Sequence, residues 1–112
     1  MNLENIISQI DLLKTLGNCK NKLRKSIIVK SNRKLVQAIC ELIDNTLRGN
    51  LKFLKFDYNN LKKYKHTFRK LLKKSNLKTK KKILIQHGGF LPILIPSIIG
   101  GLSTIISSLV SK

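Results

Sequence analysis

The 112 residues predict an all-α fold: a small helical domain of three to four amphipathic helices, followed by an apolar C-terminal helical tail interrupted by glycine and proline. Three observations carry that reading. Apolar residues recur three and four positions apart in successive segments, as the core-facing stripe of a helix requires. Asn, Ser, Asp or Gly stands at the ends of those runs, where helices start and stop. Apolar residues make up 42% of the chain, which excludes a wholly disordered basic tail, while 112 residues leave room for one modest core of Leu and Ile.

The elements follow in order. Leu3, Ile6, Ile7, Ile10, Leu13 and Leu16 define a short amphipathic helix, with Gly17-Asn18 in the place of a C-cap. Residues 19–30 mix Lys and Arg with Ile27, Ile28 and Val29 and form a second helix or a connector. Ser31-Asn32 offers an N-cap to the clearest core helix, residues 33–48, which Gly49-Asn50 stops. At 100° per residue its Leu35, Val36, Ile39, Cys40, Leu42, Ile43 and Leu47 fall within roughly 160° of arc, a width that implies burial against at least two neighbours. A connector over 51–57 leads to a helix over about 59–75, capped by Asp57 or Asn59. Its Leu61, Tyr64, Phe68, Leu71 and Leu72 make one stripe of roughly 100°, opposed by a lysine-rich face that fills about half the circumference. Ser75-Asn76 breaks the pattern before Ile83, Leu84 and Ile85.

The tail starts at Gly88-Gly89 and carries no charge through Val110, long enough on paper to span a bilayer. Pro92, Pro96 and Gly100-Gly101 argue against a straight spanning helix. Beyond Ser97 the pattern turns amphipathic, which suits packing on the domain, on other copies or into a membrane surface.

Charge divides the chain more sharply than periodicity does. The 23 Lys and Arg against 5 Asp and Glu leave a formal +18. Nineteen of the cations are lysines, which favours diffuse attraction over planar bidentate contacts. Residues 1–57, the amphipathic helical half, hold eleven cations and all five acids; residues 58–87, the basic helical band, hold eleven cations and no acid; residues 88–112, the apolar tail, hold only Lys112. Lysine faces are often merely solvated, but solvated faces normally intersperse acids. The band of Lys62, Lys63, Lys65, Arg69, Lys70, Lys73, Lys74, Lys78, Lys80, Lys81 and Lys82 is therefore expected to meet phosphates of a polyanion.

Other chemistries find little support. Cys19 and Cys40 lack a second pair or a C-x-x-C spacing and are expected to be reduced thiols. His66 and His87 have no carboxylate or cysteine neighbours, so no metal, cofactor or catalytic residue is expected, and an enzyme is the least favoured class. Glu4, Ser8, Gln9 and Asp11 break up the N-terminal apolar run, unlike a secretory signal.

Residues 88–102 read GGFLPILIPSIIGGL after a lysine-rich run. This resembles the C-terminal part of the precursor of adenovirus core protein X, or mu. The stretch from about Leu35 to Ile95, with LVQAICELIDNTLRGN, YKHTFRKLLKKSNLKTKKK and ILIQHGGFLPILIP, is similar to small basic proteins of Polinton (Maverick) elements and adintoviruses. The resemblance implies a non-enzymatic virion core protein that binds and condenses double-stranded DNA without sequence preference. It places the protein in the virion interior and, during assembly, in the host nucleus. The adenovirus protein is short and arginine-rich, where this chain is lysine-rich and carries a foldable helical half. The resemblance further implies a precursor cut by a viral cysteine maturation protease after Gly-Gly. Gln86-His87-Gly88-Gly89 before Phe90 matches that pattern, and Ile98-Ile99-Gly100-Gly101 before Leu102 matches it more weakly. Without the resemblance, Gly88-Gly89 reads as a hinge ending the basic helix. The alternative function is a membrane-active virion protein whose residues 88–112 perturb host membranes, and capsid proteins are a further expected partner.

Overall fold

The described elements are all helical in the computed structural model, which describes residues 3–48 and 55–98. In chain order they are α1 (Leu3–Ser8), α2 (Ile10–Asn18), α3 (Asn21–Lys30), α4 (Arg33–Leu47), α5 (Lys55–Lys62), α6 (Lys65–Leu72) and α7 (Leu77–His87). A 3-10 turn, Gly88–Phe90, follows, and residues 91–98 are helical again.

The all-α class holds, but the helices are shorter and more numerous than the three to four expected. The first run is split at Gln9, where the backbone leaves helical geometry (φ −106°, ψ 7°) and the Gln9 amide is shared between the carbonyls of Asn5 and Ile6. The basic run is split at Lys63-Tyr64, giving α5 and α6. Asp57 and Asn59, expected as caps, lie inside α5 instead, because that helix starts at Lys55 within the expected connector.

Helix α4 organises the core. Asn32 caps it by accepting a hydrogen bond from the Leu35 amide at 3.2 Å, which satisfies one of the orphan donors of the first turn. Leu35, Val36, Ile39, Leu42 and Ile43 are buried, Cys40 is half-buried, and Leu47 at the end of the stripe is exposed. The wide stripe meets four partners, since α4 packs on α1, α2, α6 and α7.

Gly17 does not end α2, as its place in the sequence suggests; the helix continues through Asn18 and is capped by extended Cys19. Gly17 is instead a notch. A Cβ built there would lie 2.9 Å from Cβ and Cγ2 of Ile95 and 3.2 Å from Cδ of Pro96. Absence of a side chain lets the 91–98 helix sit directly against the α2 backbone.

That seat changes the standing of the apolar segment. Phe90, Leu91, Leu94, Ile95 and Ile98 are all buried in the core that α2 and α4 build. Phe90 is fully enclosed, with its ring edge-on to Phe68 at 4.8 Å and tilted against Tyr64 at 5.8 Å. Neither proline interrupts this helix. Pro92 sits in its first turn, where the missing N–H has no intrahelical acceptor; Pro92 is exposed, and Pro96, also largely exposed, sets its Cδ against Gly17. Among the described residues no helix is long and apolar enough to cross a membrane. Of the amphipathic pattern expected beyond Ser97, Ile98 is described and buried and the rest lies outside the described residues, as does the expected stop at Gly49-Asn50.

Candidate nucleic-acid interface

The basic band is held by two short helices with narrow apolar stripes. In α6, Phe68 and Leu71 point into the core, which leaves Lys65, Arg69 and Lys70 exposed on the other side. In α7, Leu84 is buried while Ile83 and Ile85 are half-buried, and the opposite side presents Lys78 and Lys82 to solvent. The α6–α7 link places exposed Lys73 and Lys74 between them, and Asn76 restarts the chain as the cap of α7 by accepting from the Thr79 amide at 2.8 Å. Lys62 and Lys63, at the α5–α6 break, are exposed as well. Nine of the eleven predicted phosphate contacts thus stand in solvent. Lys63, Lys65, Arg69, Lys70, Lys73, Lys74, Lys78 and Lys82 form no ion pair with another described residue.

The other two face the protein. Lys81 crosses from α7 to the end of α3, where Nζ donates to the carbonyls of Val29 and Ser31. A cation at a helix C-terminus meets both the unsatisfied carbonyls and the negative end of the helix dipole. Lys81 is therefore a structural cap of α3. Lys80 is half-buried and lines a groove of about 580 Å³ together with Arg33, Cys40, Glu41 and Asp44. Two acids and two cations make that groove electrostatically mixed, unlike the outer face. Burial pushes the Cys40 thiol above its ordinary range, opposed by the positive charge of Lys80 and reinforced by Glu41. Cys40 also donates a long S–H contact to the Leu71 carbonyl at 3.8 Å. Cys19 and Cys40 are both free thiols, and among the described residues no group of His, Cys, Asp or Glu could hold a metal ion.

The first Gly-Gly motif lies at the end of α7. Gln86 and His87 are exposed in its last turn, Gly88 is buried, and Gly89 is exposed with Tyr64 Oη about where a Cβ would touch it, at 3.5 Å. Phe90 on the far side of the bond is in the core. An extended conformation through this bond, such as a protease groove takes, requires Phe90 to leave its aromatic contacts first. Of the second motif, Ile98 is buried, while Ile99, Gly100, Gly101 and Leu102 lie outside the described residues.

Sequence reasoning missed the cations of α3. Lys22, Lys25 and Lys30 are exposed on a helix that packs against α7. Their signal was present: residues 12–40 hold eight cations and no acid. No family model, curated protein or solved structure matches the chain.

Proposed function

We propose that this chain is a non-enzymatic protein that binds and condenses double-stranded DNA through sequence-independent contacts to phosphates. The observation that supports it is the acid-free outer face of α6 and α7, where exposed Lys65, Arg69, Lys70, Lys78 and Lys82 stand on a packed scaffold and form no ion pair with another described residue. Lysine ammonium groups meeting phosphates release condensed counterions and need no base-edge contact. The virion interior as its place, and the host nucleus during assembly, rest on the resemblance of residues 88–102 to the adenovirus core protein precursor. On the same ground, a maturation protease acts after Gly89 once local opening frees Phe90; intact chain as the sole species in mature particles, read by mass spectrometry, overturns that step. The membrane-active reading is the weaker one, because the apolar residues it needs between 90 and 98 are already packed in the core.

The binding test is fluorescence anisotropy of the full chain on two unrelated 20-base-pair duplexes over a series of salt concentrations. Engagement of six phosphates gives a log–log slope of about −5 and the same slope on both duplexes. A flat salt response, or affinities that differ by orders of magnitude between the duplexes, overturns the proposal.

A further inference from the structure

The five acids are confined to four of the seven described helices. Glu4 is on α1, Asp11 on α2, Glu41 and Asp44 on α4, and Asp57 on α5, whereas α3, α6 and α7 contain none. The fold brings those three acid-free helices together: α7 packs on α6 and also on α3, although α3 is separated from it in sequence by the whole of α4 to α6. Lys81 ties the pair by bonding the last carbonyls of α3.

Helix α3 also turns a narrow stripe inward, with exposed Leu23 and Val29 standing among the lysines of its outer side. Arg24 and Ile28, four residues apart, turn inward, with the Arg24 guanidinium donating to Asn21 Oδ1 at 2.7 Å, and Lys22, Lys25 and Lys30 are left in solvent. These three lysines form no ion pair with a described residue. Without a polyanion, a second like-charged helix beside α7 only adds repulsion; beside a duplex it adds counterion release. Packed helices lie about 8–10 Å apart, between the roughly 6 Å and 12 Å widths of the two DNA grooves. Cations on two packed helices are therefore spaced on the scale of one groove.

We infer that α3 is a second phosphate-binding row, in which Lys22, Lys25 and Lys30 hold the backbone of the same DNA duplex that α6 and α7 engage. The inference rests on the DNA-binding reading above and extends it to the exposed lysines of α3, which packs on α7.

The test compares two triple variants of the full chain, K22Q/K25Q/K30Q on α3 and K65Q/K70Q/K82Q on α6 and α7, by anisotropy on one 20-base-pair duplex across salt. Circular dichroism confirms the helices in each, and K22R/K25R/K30R keeps the charge on α3. Each triple flattens the log–log slope by about 2 to 3, one phosphate contact per lysine, and the arginine triple restores it. An α3 triple with the wild-type slope, while the α6–α7 triple is flattened, overturns the inference and leaves the DNA-binding proposal standing. A wild-type chain without salt-dependent binding overturns both.

Discussion

Helix α4 buries seven of its fifteen residues, whereas α6 and α7 together bury three of nineteen. The two regions share one core and divide the work of making it. A wide apolar stripe lets α4 contact four other helices, and its Glu41 and Asp44 remain on the side of the mixed groove. The narrow stripes of α6 and α7 free the rest of each helix for lysine. Such short, heavily charged helices are marginal alone, so their stability is borrowed from α4 and from the Phe90 cluster. The difference teaches that stability and net positive charge are carried by different helices, so substitutions are expected to separate them.

The largest effect is expected at the join. Phe90→Ala removes the ring that Phe68 and Tyr64 enclose and costs about 3–5 kcal/mol, read by urea denaturation. A cost below 1 kcal/mol would show that the 91–98 helix does not hold the basic face in place. Next is Gly17→Ala, where the new methyl group meets Ile95 at 2.9 Å with helix backbone behind it; the expected loss is about 1–3 kcal/mol. An unchanged or raised stability breaks the close seating of the two helices.

Lys81→Met cuts across the division, since it removes a cation of the basic band. The chain should lose about 1–2 kcal/mol, as the α3 carbonyls lose a charged donor, while the slope of DNA affinity against salt stays as in the wild type. A flattened slope with intact stability would return Lys81 to the phosphate contacts. The smallest effect concerns pH. Because burial raises the folded-state pKa of Cys40, the folded chain holds its thiol proton more tightly than the unfolded one. Its contribution to stability is complete below the unfolded thiol value of about 8.5 and is lost as pH rises past it. Cys40→Ala should flatten the decline of stability above that pH, and an unaltered decline counts against Cys40 as its source.

Much of the local design was legible in the sequence. The all-α class, Asn32 as the cap of α4, the buried faces around Ile39 and Phe68, and the exposed lysines of α6 all follow from spacing within one or two turns. Helix breaks were less legible, because Gln9 and Tyr64 carry no strong stop signal and their bends bring neighbouring stripes onto one core. Of the candidate interface, exposure of nine lysines and arginines could be read from periodicity, but the inward turn of Lys80 and Lys81 could not.

Amino-acid order thus determined which residues form helices, which stripe of each is apolar, and where the acids are missing. Tertiary packing decided what each stripe meets. Gly17 becomes a notch only because Ile95 arrives there, Lys81 becomes a cap only because the end of α3 lies beneath it, and the basic surface grows beyond the band only because α3 docks on α7. Periodicity and capping depend on neighbours within a few residues, whereas these contacts join positions about fifty to eighty residues apart, whose pairing follows from burying every apolar stripe at once.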